Sequence, residues 1–386
     1  MITRSISSKK IRLLSVCPQL VPDGAERQLV YFCKHAHRDR LDIRIVFYES
    51  DDSLRPALAE LGIDVIHLDR ARLGPWGLLK TLRREIVTYR PDVLDCRLPS
   101  AYRFGRLAAL GTGVPVVIAQ ERTAARGSAA RRLFDRMLNR WTDAWIGNSK
   151  AVAAHIIRDL HVAPDRVHVI YNGIDAAGFR AAVIHPLLAR LKNEGRRIVL
   201  NVGRLIQGKN QRLFLRVGRR LNQRFSNLAF GLCGTGPLRG ALESYAAELG
   251  MADACHFLGQ QKDMAPVLAA ADLFIQTSDQ EGLPNAVMEA MAAGVPVVAT
   301  AAGGTEELIQ DGTSGFIVPV GDEAGLEDAA SKVLLDRRLA GQLAEAASAE
   351  VRRRFTAVAM ARAYSELLED LLARKNACPS VRARQA

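Results

Sequence analysis

No stretch of about 18 apolar residues occurs in the 386-residue chain, which excludes a conventional membrane-spanning helix. The apolar segment 11–16 is broken by Arg12 and is too short for a secretory h-region. The basic, Ser-rich start at 1–10 therefore reads as a flexible leader running into a first strand. The six cysteines (Cys17, Cys33, Cys96, Cys233, Cys255 and Cys378) form no CxxC or CxH pair. Scattered in this way they read as buried or free thiols in a reducing cytoplasm, not as a zinc or disulfide framework. There is no HExxH, no Walker-type glycine loop, and no Ser-His-Asp or Cys-His set at a recognisable spacing. The turn after the first apolar segment lacks GxGxxG, which argues against a dinucleotide dehydrogenase. Internal repeats of solenoid period and low-complexity tracts are absent as well.

What is present is an ordinary globular composition, 48% hydrophobic and 24% charged, in a chain whose length suits two domains. The net charge of +12 is unevenly placed. Residues 1–180 hold 29 Lys and Arg against 19 Asp and Glu, a net of +10, which leaves +2 for the remainder. A basic first half suits nucleic acid, an anionic membrane surface or a phosphorylated substrate. No nucleic-acid-binding motif accompanies it.

Short β-branched segments, largely apolar on both sides of the alternation, alternate with longer segments of helical period. They fall at 11–16, 43–47, 65–68, 93–95, 114–119, 144–147 and 167–170, with helical stretches such as 25–36 and 76–88 between them. Runs apolar on both sides of the alternation are what strands buried on both faces of a parallel sheet require. The rhythm breaks after Asn172-Gly173-Ile174-Asp175 and restarts with 198–202, 229–233, 254–258, 273–276, 295–299 and 316–318. A hinge at 175–195 is expected, with a doubly wound α/β domain on either side. Such sheets bind ligands beyond the carboxyl ends of their strands. The tail from Ala373 is rich in Arg and Lys.

Three segments carry chemistry. In the stretch from Asn201 to Asn210, a strand ends at Gly203, and Arg204 and Lys209 follow in a loop that opens a helix. A forked cation and a compact one beside a helix N-terminus suit a diphosphate; the competing reading is a solvated basic loop. In the second, Pro284 fits a first helical position and Gly294 the position past the end, so Glu281 lies before the helix and Glu289 within it. Gly282 admits close approach, and the amides from Leu283 through Asn285 to Ala286 face an anion. Glu289 on an otherwise apolar helix needs a partner, either a ligand or a structural ion pair. In the third, Gly303-Gly304-Thr305 and the turn Asp311 to Gly315 form a weaker phosphate- or sugar-facing loop, as does Gly234-Thr235-Gly236-Pro237. In the first half, Asp23-Gly24-Ala25-Glu26 opens a helix, either closing the pocket or forming a plain Asp-capped turn. The segment 126–141 is a basic amphipathic helix with Phe134, Met137, Leu138 and Trp141 on one side and Arg132, Arg136 and Arg140 on the other. It suits a membrane surface, or packing of its apolar side on the sheet.

Taken together and in this order, these motifs resemble the retaining GT-B glycosyltransferases of the GT4 family. The resemblance is carried by GRLIQGKN (203–210), the Glu281-x7-Glu289 element, AGVPVVAT (293–300), GGTEEL (303–308) and DGTSGFIVP (311–319), with NSK (148–150), NGID (172–175) and DGAERQL (23–29) in support. It implies an α/β fold of two Rossmann-like domains facing across a cleft: 1–178 on the acceptor side, with a C-terminal helix at 357–386 crossing back, and 179–356 binding the donor. It further implies that Arg204 and Lys209 hold the donor diphosphate and that Glu289 holds the ribose. Glu281 would contact the sugar and organise the transition state. Gly203 and the backbone from Gly282, Leu283 and Pro284 to Asn285 would line the donor, and Gly24 would let the first domain approach it. No metal and no cofactor is expected. Two departures stand out. Asp23 replaces the first of the family's paired glycines. The strand at 114–119 is followed by Gln120-Glu121-Arg122 where many members have a His, which makes Glu121 and Arg122 candidate acceptor-side residues.

The expected activity is transfer of a hexosyl group, with retention, from a UDP- or GDP-linked sugar to a saccharide or lipid-linked acceptor, in cell-surface polysaccharide or glycolipid assembly. The expected location is cytoplasmic, peripheral on an anionic inner membrane face through the basic first half, with no nucleic-acid partner. The alternatives are a non-catalytic relative that binds membrane or a partner, and a sugar-nucleotide epimerase on the same architecture.

Overall fold

The computed structural model describes residues 10–123, 128–179 and 183–377. The leader before Lys10, Arg126 and Gly127 of the amphipathic segment, hinge residues 180–182, Cys378 and the end of the helix expected at 357–386 lie outside the described residues. The chain divides into two compact units, Met1–Gly173 with Ala357–Ala386, and Ile174–Thr356.

Unit 1 is built on seven parallel strands: β1 (Ile11–Val16), β2 (Leu41–Phe47), β3 (Asp64–His67), β4 (Val93–Arg97), β5 (Val116–Glu121), β6 (Ala144–Gly147) and β7 (Val167–Val169), in the order β3-β2-β1-β4-β5-β6-β7. Leu13 of β1 pairs in register with Ile43 and with Val93. Alternation sends successive β1 residues to opposite faces. Leu13 joins a core with Phe32 of the helix Gly24–His35 and Leu368 of the helix Ala357–Ala377. Leu14 joins another core with Leu82, Tyr102 and Trp145 beneath the helices Arg70–Tyr89 and Pro99–Ala109.

Unit 2 repeats the plan with six strands: β8 (Arg197–Val202), β9 (Leu228–Cys233), β10 (Cys255–Gly259), β11 (Leu273–Gln276), β12 (Val297–Thr300) and β13 (Phe316–Val318), ordered β10-β9-β8-β11-β12-β13. Its core packs Phe214, Val217 and Leu221 of the helix Gln211–Arg224 and Leu326 of the helix Glu323–Leu335 on the sheet. In both units the strand order reverses beside the first strand, between β1 and β4 and between β8 and β11. Neighbouring connections leave such a point in opposite directions, and the crevice they open is where doubly wound sheets take ligands.

The amphipathic segment differs from expectation. It forms the helix Ala129–Leu138 and a 3-10 turn Asn139–Trp141, and its apolar residues do not share one buried side. Leu138 is 3% exposed, whereas Met137 is 61% and Leu133 60% exposed. The reason is Asp135, which is buried and held by Arg103 at 2.6 Å and Arg106 at 2.9 Å. Seating that carboxylate turns the helix and leaves Leu133 and Met137 outward. Among the described residues no helix is long and apolar enough to cross a membrane. The five described cysteines are free and buried.

Candidate active site

The loop after β8 is pinned from below. Gly203 N donates to Cys233 O at 2.9 Å and Leu205 N to Thr235 O at 2.8 Å. A Cβ at Gly234 would stand 2.0 Å from Gly203 O, and one at Gly236 2.4 Å from Leu205 O. Both glycines have positive φ, 136° and 158°. The glycines of the Gly234-Thr235-Gly236 turn are therefore required by its close packing against the Arg204 loop, which rests on it. Arg204 itself is exposed. The chain then makes a 3-10 turn, Gln207–Lys209, and Asn210 enters the left-handed region at φ 48°, where its side chain caps Leu213 N and donates to Asp279 Oδ1 at 2.7 Å.

From the other side of the switch point, β11 runs into Thr277, Ser278 and Glu281. Thr277 Oγ1 donates to the carbonyls of Lys209 (3.2 Å) and Asn210 (3.0 Å), and Asp279 N donates to Gly208 O at 3.0 Å. These bonds stitch the two loops together and bring Lys209 Nζ to 2.5 Å from Glu281 Oε1. Glu281 is 6% exposed, and the same oxygen also accepts from Gln276 Nε2 and Ser278 Oγ, each at 2.7 Å. Gly282, Leu283 and Pro284 are buried, and Asn285 is half-buried. Pro284 sits one residue earlier than expected, at the N-cap of the helix Asn285–Ala292, because its ψ of 110° is extended. A proline cannot cap with its side chain, so the first turn of this helix carries no side-chain cap. Glu289 is buried at 6% exposure on the same helix, between Met288 and Ala290, which are fully buried. Gly294 ends the segment at φ 75°.

In unit 1, Gly24 is exposed as the first residue of its helix, and Asp23 takes the N-cap position without a side-chain cap bond. Glu121 ends β5 turned inward. Its Oε1 accepts from Arg122 N (2.9 Å) and Thr123 N (3.3 Å), its Oε2 from Tyr102 Oη (3.3 Å), and burial pushes its carboxyl up to about 7. Arg122 donates to Asn172 Oδ1 at 2.5 Å and Gln120 Oε1 at 2.9 Å. Burial, reinforced by the neighbouring Arg97, pulls its guanidinium down to about 10. Beneath it lies a polar layer absent from the sequence reading: Gln120 Nε2 donates to Asp95 Oδ1 (2.6 Å) and Tyr364 Oη (2.9 Å), and Arg97 Nε donates to Asp95 Oδ2 (2.7 Å). The available signal was that β4 and β5 end in Asp95, Arg97, Gln120 and Glu121 after apolar runs. Gln276 and Ser278 were missed in the same way. No group of three His, Cys, Asp or Glu among the described residues is placed to hold a metal.

The two units match two family descriptions. Glycosyltransferase Family 4 covers residues 22–177, and Glycosyl transferases group 1 covers residues 189–350. The chain is a GT-B glycosyltransferase of the GT4 type. This glycosyltransferase is 25% identical over 354 residues to the UDP-Gal:alpha-D-GlcNAc-diphosphoundecaprenol alpha-1,3-galactosyltransferase of Escherichia coli, covering 86% of this chain and 89% of that one. It is 32% identical over 171 residues to the lipopolysaccharide core biosynthesis glycosyltransferase LpsE of Rhizobium meliloti, covering 44% of this chain and about half, 49%, of that relative. In fold it is similar to HepE of Anabaena, solved with UDP and glucose, at a TM-score of 0.82 and 24% identity over 93% of this chain and 100% of the other.

Proposed function

We propose that the protein transfers a hexosyl group from a UDP- or GDP-linked sugar to a saccharide or lipid-linked acceptor, retaining the anomeric configuration, in the assembly of a cell-surface polysaccharide or glycolipid. The observation that carries this reading is the convergence of Lys209 and Glu281 at the switch point of unit 2, beside the Arg204 loop and the start of the helix Asn285–Ala292. The relatives from Escherichia coli, a diphosphoundecaprenol-linked galactosyltransferase, and from Rhizobium meliloti, a lipopolysaccharide core glycosyltransferase, support the acceptor class.

In this reading Arg204 and Lys209 take the diphosphate, the leaving group on which negative charge grows as the glycosidic bond breaks. Gly203 and the backbone of Gly282, Leu283, Pro284 and Asn285 line phosphate and sugar, with the helix N-terminus adding its partial positive charge. Glu289 takes the ribose hydroxyls. Glu281 takes the sugar hydroxyls and stabilises positive charge developing at the anomeric carbon. Gly24, Glu121 and Arg122 belong to the acceptor-side unit. The basic excess of residues 1–180 serves an anionic membrane surface carrying the acceptor.

A thermal-shift panel of UDP, GDP, ADP and CMP tests the donor pocket first. Stabilisation by one diphosphate class, loss of transfer in Glu281→Gln and Arg204→Ala with melting temperature kept, and an α-anomeric product from an α-linked donor by NMR are the expected results. Wild-type-like transfer by both variants would sink the reading. No stabilisation by any nucleotide favours a non-catalytic binding protein instead.

A further inference from the structure

Gln276 presents an anomaly. It closes the buried strand β11, is 4% exposed, and its Oε1 is buried without a hydrogen-bond partner. An orphaned buried carbonyl costs about 1–3 kcal/mol, so an apolar residue here would serve folding better. What the amide does instead is donate Nε2 to Glu281 Oε1 at 2.7 Å, with a longer contact of 3.3 Å to Ser278 Oγ. Ser278, 2% exposed, donates to the same oxygen at 2.7 Å. Both donors are rooted in the sheet. Gln276 lies in register with Ala299 of β12, and Ser278 O accepts from Thr300 Oγ1 at 2.6 Å.

We propose that Gln276 and Ser278 are positioning residues that lock the Glu281 carboxylate in one orientation and aim its other oxygen, Oε2, at the donor sugar. This rests on the reading of Glu281 as the carboxylate that meets the sugar. Glu281 Oε2 makes no hydrogen bond among the described residues, while Oε1 takes three donors. Lys209 alone does not suffice for this. An ammonium is a compact charge on a flexible stem and attracts a carboxylate without fixing its plane. Two neutral donors from rigid backbone define that plane and leave Lys209 able to serve the diphosphate as well. The division is charge from Lys209 and direction from Gln276 and Ser278.

The test compares Gln276→Met, Ser278→Ala and Ser278→Thr with Glu281→Gln in the full chain. Turnover is measured with UDP-glucose, UDP-galactose and GDP-mannose, and affinity for these and for UDP and GDP by calorimetry. The expected result is a loss of about tenfold or more in kcat for Gln276→Met and Ser278→Ala, the size typical when a partner that orients a functional side chain is removed. Affinity for the free nucleotide stays within twofold, the extra affinity contributed by the sugar disappears, and Ser278→Thr recovers activity. Wild-type turnover in both Gln276→Met and Ser278→Ala, with Glu281→Gln inactive, overturns the positioning role and leaves the reading of Glu281 standing. Parallel loss of nucleotide and sugar-nucleotide affinity overturns it too, because it marks a merely structural defect. Full activity in Glu281→Gln, or a wild type that neither binds nor turns over any of these compounds, overturns that reading and this proposal with it.

Discussion

Glu26 shows how burial sets the behaviour of a single group. It lies on the first turn of the helix Gly24–His35 at 4% exposure, and burial pushes its carboxyl from 4.5 up to about 7. The neighbouring Asp23 adds to the rise, while Gln19 and Arg122 oppose it. The folded state therefore holds a proton that the unfolded chain gives up at lower pH. Stability from this group falls as pH rises through the window from 4.5 to about 7, and the penalty is complete above it. Glu26→Gln removes the penalty. The variant is expected to be more stable than wild type by about 3 kcal/mol at pH 8, with the difference shrinking to near zero by pH 4.5, in urea denaturation at the two pH values. An equal difference at both would mean that packing, not protonation, is responsible. Nothing in the sequence marked Glu26 as buried. Its position in DGAERQL was legible as a helix start, but which face of that helix meets the sheet depends on Phe32 and Tyr364, 332 positions apart in sequence, whose rings meet at 59° with centroids 4.7 Å apart.

Among elements, the strands were the most legible and the helix faces the least. Segments 11–16, 144–147, 273–276 and 316–318 coincide with β1, β6, β11 and β13, because a run buried on both faces admits few other readings. The start of β2 at Leu41 was lost because Asp42 is exposed and interrupts the apolar pattern. The helix Ala129–Leu138 defeated its own periodicity because one buried ion pair, Asp135 with Arg106, outweighed two apolar side chains. Gly234 and Gly236 looked like a ligand loop because a glycine's freedom reads identically whether it meets a phosphate or another loop. In the structure both glycines meet another loop. Gly234→Ala is expected to cost about 3 kcal/mol, since a Cβ would collide with the Gly203 carbonyl and the residue would be forced into a left-handed conformation at φ 136°. It should also displace the Arg204 loop. The melting temperature and nucleotide affinity of this variant check both effects, and an unchanged protein would remove the floor from this account of the site.

At the scale of the molecule, each unit has its own core, but their chain paths differ. Unit 2 is one continuous stretch, Ile174–Thr356, whereas unit 1 needs Ala357–Ala386 as well as Met1–Gly173. Met360, Ala361, Leu368 and Leu371 of the helix Ala357–Ala377 are part of the core beneath β1 and β2. A fragment of residues 174–356 is expected to fold alone, with a cooperative thermal transition. A fragment of residues 1–173 should collapse or aggregate unless the helix of residues 357–377 is supplied in trans, and circular dichroism of the mixture checks this. A cooperative transition in the lone first fragment would contradict the account of its core.

That helix also reverses the order in which the protein can be finished. Translation delivers the first sheet early, yet the piece that covers Leu13, Phe32 and Ile43 reaches the tunnel exit only after every residue of the second unit. The half begun first is completed last, and in the interval its apolar underside is open to chaperones and to neighbouring nascent chains. A chain cut short near residue 356 would hold every residue of the second unit and lack the helix that covers the first.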